Sequence, residues 1–181
     1  MSAAPLTVAL VGCGNISAQY LASLPRLPNL RLVSVTDPVT AAAERVAAEH
    51  GVPARALDEV LVDDAIDVLL NLTPPQIHAP LTIRALEAGK HVYLEKPFAV
   101  TADEASVMLA AAAAAGRRIG SAPDTVLGTG IQTARRLIDD GEIGQPIAAT
   151  AFMMSPGHGR GRSCRWRSTP TSRPRCGTRA G

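Results

Sequence analysis

Residues 6–17 read L-T-V-A-L-V-G-C-G-N-I-S. Leu6 to Val11 is a short apolar run that ends at a glycine, the pattern of a strand buried on both faces. Gly12 permits a tight turn directly after it. Gly14 removes a side chain where a pyrophosphate would meet the backbone, and the following helix start offers free N–H groups to phosphate oxygens. Ser17 stands at the third, small position of the G-x-G-x-x-G/A pattern. Cys13, between the glycines, reads as a small filler rather than a redox thiol. A glycine-rich turn between strand and helix is expected to hold a dinucleotide.

Working outward, apolar runs alternate with helical patterns. Strands are expected at Leu30–Thr36, Ile66–Leu72, His91–Leu94, Arg118–Ser121 and Pro146–Met154. Helices are expected at Asn15–Leu24 (stopped by Pro25), Thr40–His50, Asp58–Val62, Gln76–Ala88 and Gly130–Asp139. A further helix starts at Thr101, whose spacing to Glu104 is that of a capping box, and runs through six alanines to Gly116. This alternation predicts an α/β fold, a doubly wound parallel sheet of the Rossmann type. Aromatic residues are 3% of the chain and hydrophobic residues 46%, so the core must be aliphatic, as parallel sheets require.

In such sheets ligands sit beyond the carboxyl ends of the strands, so the residues there carry the chemistry. The second strand ends in Thr36-Asp37, and Asp37 lies 23 positions after Gly14. An acid at that distance accepts hydrogen bonds from an adenosine ribose. No Arg or Lys occurs among residues 36–43 to receive a 2′-phosphate, which favours NAD over NADP. The next strand ends in Asn71-Leu72-Thr73-Pro74-Pro75. Asn71 and Thr73 are candidates for contact with the nicotinamide ribose or the pyrophosphate. His78, in the first turn of its helix, reads equally as structural or functional. The following strand ends in Glu95-Lys96-Pro97, a paired carboxylate and ammonium that a buried strand end would not carry without use. Pro97 restricts Lys96 to extended backbone and allows a cis bond. A positively charged nicotinamide beside Lys96 would lower its affinity for a proton, suiting it to exchange one with a reacting hydroxyl.

The run T-P-P-Q-I-H-A-P-L-T-I-R-A-L-E-A-G-K-H-V-Y-L-E-K-P, residues 73–97, resembles the signature of the Gfo/Idh/MocA oxidoreductases. V-G-C-G-N-I-S at the start and A-P-D-T-V-L-G-T-G-I-Q-T-A-R at 122–135 resemble the same family, so the likeness covers residues 6 to about 157. It implies an NAD(P)-binding Rossmann domain over 1–145, followed by a second α/β domain. It implies hydride transfer between NAD(P) and a sugar, cyclitol or related substrate. It also implies that Gly12, Gly14, Asn15 and Ile16 hold the pyrophosphate and Asp37 the adenosine ribose. Thr73, Pro74 and His78 would then line the cofactor cleft, Glu95 would lie by the nicotinamide ribose, and Lys96 would touch cofactor and substrate.

After Met154 the composition changes. Residues 158–181 hold seven arginines and no acidic residue, leaving eleven Lys+Arg against sixteen Asp+Glu, a formal −5, on 1–157. Only the first strand of the second domain, within 146–157, is expected before this tail. The expected origin of the tail is out-of-frame translation of a GC-rich gene from near His158–Arg160. It is expected to be disordered, for want of apolar surface. A nucleic-acid-binding arm is the competing reading, set aside because no aromatic interleaving or folded module accompanies the arginines. Turnover is expected to be weak or absent, and oligomerisation doubtful, without the second domain.

Two other functions compete: a nucleotide-binding fragment without catalysis, and a methyltransferase, against which the Glu-Lys-Pro element counts. Cys13, Cys164 and Cys176 are irregularly spaced and suggest neither a disulfide framework nor a zinc site. With no secretory leader pattern at the N-terminus and no apolar run of spanning length, a cytoplasmic protein with no membrane partner is expected.

Overall fold

Val8 and Leu10 face one core and Ala9 and Val11 another, all at most 3% exposed. Strand β1 (Leu6–Val11) is thus buried on both sides, and its neighbours build outward from it. The computed structural model describes residues 4–123, 125–150 and 152. The sheet also contains β2 (Leu30–Thr36), β3 (Val68–Asn71), β4 (His91–Leu94) and β5 (Ile119–Ser121). Their order is β2-β1-β3-β4-β5, and every pairing is parallel. An isolated parallel bridge joins Val35 of β2 to Ala54. The chain passes from β1 to one side and returns to the other at β3, so the switch point lies between β1 and β3.

On one face, Val8, Leu10, Leu70 and Leu72 pack with Leu21 of α1 (Ser17–Ser23) and Ala43, Val46 and Ala47 of α2 (Thr40–His50). The other face carries α3 (Leu57–Val62), α4 (Pro75–Glu87) and α5 (Ala102–Ala115). There Leu69, Val92 and Leu94 meet Val60, Leu81, Leu86 and Met108. Each such large aliphatic side chain contributes roughly 1.5–3 kcal/mol by leaving water. The capping box is formed: Thr101 Oγ1 accepts from Glu104 N–H at 3.1 Å, and Glu104 Oε2 accepts from Thr101 N–H at 3.3 Å. No helix among the described residues is long and apolar enough to cross a membrane.

Three expectations need correction. Residues 15 and 16 belong to the turn, because Gly14 carbonyl oxygen accepts from both Ser17 N–H and Ser17 Oγ. The α-helix stops ahead of Pro25 as expected, at Ser23 rather than Leu24, and Pro25 sits at the start of a 3₁₀ turn, Leu24–Arg26, where its missing N–H is not needed. The third strand is shorter than read, Val68–Asn71 rather than Ile66–Leu72.

The strand expected at Pro146–Met154 is absent from residues 146–150 and 152, which have no regular structure. A strand needs a neighbour to take its N–H and C=O groups, and among the described residues these pair with none. Ile147 is 96% exposed and Phe152 82%. The chain divides into two compact units, Met1–Arg136 and Leu137–Gly181. The first unit holds the sheet. The arginine-rich tail lies outside the described residues.

Asp67 joins the start of β3 to β1, its Oδ2 accepting from Thr7 N–H and Thr7 Oγ1, each at 2.8 Å. These two bonds, the backbone one first, hold its carboxyl below the ordinary 3.8. Its contribution to stability is therefore present above pH 3.8 and lost as pH falls through the lowered value. Asp67→Asn, whose oxygen still accepts from Thr7, is expected to flatten the acid limb of a urea-midpoint profile. An unchanged slope below that pH would rule the link out.

Candidate active site

The site is built on the rim where the strands end. Gly12 follows β1 with φ +104°, a conformation that side-chain-bearing residues rarely adopt. A Cβ on it would stand 2.7 Å from Leu72 C and O and 3.0 Å from Thr73 N. The glycine turn therefore lies directly against the loop that leaves β3. Gly12 N–H donates to Thr36 O at 2.9 Å, and Cys13 N–H donates to Asp37 Oδ2 at 2.7 Å. Asp37 Oδ1 accepts from Val39 N–H at 2.8 Å. Asp37 thus fastens the ends of β1 and β2 together.

Burial, and then the charge of Asp37, push the Cys13 thiol up to about 11. It stays protonated at neutral pH, as suits a filler rather than a nucleophile.

Gly14 is different from Gly12, since a Cβ there would meet nothing within 4 Å. It opens onto a cleft of about 1130 Å³ that Gly12, Asn15, Ile16, Asp37, Thr73 and Pro74 also line. Sequence reading missed two cationic residues of this cleft, Arg55 and Arg84. Each is engaged: Arg55 Nη1 meets Asp63 Oδ2 at 2.6 Å, and Arg84 Nη2 meets Asp58 Oδ1 at 2.7 Å. The Arg84 partner lies 26 positions away on another helix, a pairing that no local pattern announces.

Asn71 and His78 line neither this cleft nor the second one described below, and both are fully buried. Asn71 Oδ1 accepts from Thr73 Oγ1 at 2.6 Å and from Thr73 N–H at 3.2 Å. Its amide donates to His78 O and Thr82 Oγ1 on α4. The His78 ring stands between two loops, Nε2 2.8 Å from Thr73 O and Nδ1 2.7 Å from Pro97 O. Both residues therefore hold the rim in shape from beneath.

Glu95 and Lys96 follow β4 and line a separate, mostly apolar cavity of about 530 Å³ with Tyr20, Tyr93, Ala122 and Pro123. Glu95 N–H donates to Asn71 O at 3.0 Å, tying this loop to β3. Glu95 Oε2 accepts from the backbone N–H of Lys96 at 3.0 Å, and Oε1 accepts from the Tyr20 hydroxyl at 2.7 Å. No ion pair joins the two side chains. The Lys96–Pro97 bond is cis, as the sequence allowed. Lys96 itself is exposed.

A parallel sheet with this glycine turn, acidic strand end and open Gly14 defines a dinucleotide-binding Rossmann domain. Residues 6–122 match the model of an oxidoreductase family with an NAD-binding Rossmann fold, and the chain belongs to that family, Gfo/Idh/MocA. It is 32% identical over 166 residues to scyllo-inositol 2-dehydrogenase (NAD(+)) of Bacillus subtilis (strain 168), covering 82% of this chain and 44% of that one. It is 32% identical over 148 residues to 1,5-anhydro-D-fructose reductase of Ensifer adhaerens, covering 79% and 44%. Among solved structures it is similar to the WlbA dehydrogenase of Bordetella pertussis in complex with NADH and UDP-GlcNAcA. That match has a TM-score of 0.75 and 26% identity, over 80% of this chain and 42% of that one. The chain thus spans about 44% of the length of the curated relatives it matches.

Gly12→Ala adds a methyl group against backbone atoms that have no rotamer by which to yield. It is expected to lower the thermal midpoint and abolish NADH binding. Gly14→Ala, with open space around it, is expected to keep the wild-type midpoint. Equal melting of the two variants in a thermal scan would contradict this division of roles.

Proposed function

We propose that this chain binds NAD along the rim and forms the nucleotide-binding part of an oxidoreductase that moves hydride between the nicotinamide and a sugar, cyclitol or related substrate. The observation that carries this reading is the union of Gly12, Gly14, Asn15, Ile16, Asp37, Thr73 and Pro74 around one cleft, with Gly14 leaving the backbone open. The residues fit the cofactor. Gly12, Gly14, Asn15 and Ile16 offer backbone groups and space to the pyrophosphate. Asp37, with lone pairs beyond those used by Cys13 and Val39, accepts from the adenosine ribose hydroxyls. NAD is preferred to NADP because a 2′-phosphate would meet the Asp37 carboxylate, while Arg55 and Arg84 are already paired.

Bound NAD supplies the hydride acceptor or donor, which no side chain can. Thr73 and Pro74 line its cleft, Asn71 and His78 hold that loop, and Glu95 serves the nicotinamide ribose. Lys96, held in its loop by Pro97, would take the hydroxyl proton as a neutral amine when the substrate is oxidised, and would give a proton back from its ammonium when the carbonyl is reduced. Relatives named as an inositol dehydrogenase and an anhydrofructose reductase support a polyhydroxylated substrate.

A fluorescence titration tests the reading. Wild-type protein is expected to saturate with NADH and to bind NADPH at least tenfold more weakly. Asp37→Asn keeps the shape and loses the charge, and is expected to weaken NADH about tenfold. It should also narrow the preference over NADPH. No saturable NADH binding by the wild type would refute the proposal, as would an unaltered preference in the variant.

A further inference from the structure

Tyr20 and Glu95 lie 75 positions apart, on α1 and at the end of β4, yet the hydroxyl donates to Oε1 at 2.7 Å. We propose that Tyr20 is a positioning residue, which through Glu95 sets the Lys96 loop for the nicotinamide half of the dinucleotide. The inference rests on the NAD reading above and extends it to a residue which that reading does not use.

The ring of Tyr20 is itself placed. It meets Tyr93 edge-on, with centroids 6.5 Å apart and planes at 61°. Tyr93 in turn fills the space left by Gly120 on β5, where a Cβ would come within 3.1 Å of its ring. A chain of contacts therefore runs from β5 through β4 to α1 and ends on one carboxylate oxygen. The other oxygen takes the Lys96 backbone N–H at 3.0 Å. With both oxygens engaged, the carboxylate has one orientation rather than the broad range its terminal torsion allows. A phenol donating to a carboxylate is a charge-assisted bond, stronger than a neutral one. Two of the roughly four lone-pair sites of Glu95 remain for ribose hydroxyls. Tyr20 thus acts on the cofactor through Glu95, on its nicotinamide side. The adenosine side depends on Asp37 and the glycine turn, at the far ends of β1 and β2.

Calorimetric titration of the full chain with NADH and, separately, with ADP tests this, since ADP reports the adenosine half alone. Tyr20→Phe keeps the ring packing and removes the hydroxyl. It is expected to weaken NADH about tenfold while leaving ADP within about twofold. In a Glu95→Ala background the same change is expected to shift NADH affinity less than about twofold, because its route is gone. Should Tyr20→Phe fold poorly, Tyr20→His, whose ring can still donate to Glu95, is read against Tyr20→Leu, with NADH affinity expected to hold within about threefold for the first and to fall about tenfold for the second while ADP is unaffected in both. Equal losses for NADH and ADP would make the role merely structural and overturn the inference. So would no loss at all, or a loss that persists without Glu95. A wild type that binds neither ligand overturns the NAD reading as well, whereas normal NADH binding by a folded Tyr20→Phe overturns this inference alone.

Discussion

The contact between Gly12 and the end of β3 governs the rest of the rim. With no Cβ, the backbone leaving β1 passes within van der Waals reach of the Leu72 carbonyl, where a methyl group would stand 2.7 Å away. That approach brings the glycine turn beside Thr73. It also points Cys13 N–H at Asp37, so three consecutive strands of the sheet end in one connected structure. A looser turn would leave the same residues on the same strands, separated and without a common cleft.

Beneath the rim is a second layer of fixed polar groups. Asn71 holds Thr73, and His78 lies between the Thr73 and Pro97 carbonyls. Glu95 is tied to Asn71 through its backbone and to Tyr20 through its side chain. Buried polar groups of this kind hold geometry when every member has a partner. Their effect here is to make the loops after β3 and β4 one unit, so that the cleft at the glycine turn and the Lys96 loop share a foundation while lining different cavities.

Much of this was legible in the sequence, for local reasons. β2, β4 and α2 have the expected bounds because their apolar patterns end at turn formers. Asp37 was found by its spacing from Gly14, and Thr101 by its spacing from Glu104. The failures have equally specific causes. Asn71 was read as a candidate for cofactor contact, and its burial on the strand face it shares with Leu69 was not foreseen. Period-two alternation, followed one residue further, would have turned Asn71 inward. Tyr20 gave no signal, since its partner is 75 positions away and only the fold joins them. The strand expected over 146–154 is not formed at residues 146–150 and 152, because a strand exists only with a neighbour, and composition does not supply one.

The shared rim is tested most directly by recording amide chemical shifts of isotopically labelled protein during titration with NADH. Amides of Gly12, Gly14, Asn15, Asp37, Thr73 and Lys96 are expected to move together along one saturation curve. Shifts scattered over unrelated elements, or a Lys96 loop that stays still while the glycine turn saturates, would contradict the single rim described here.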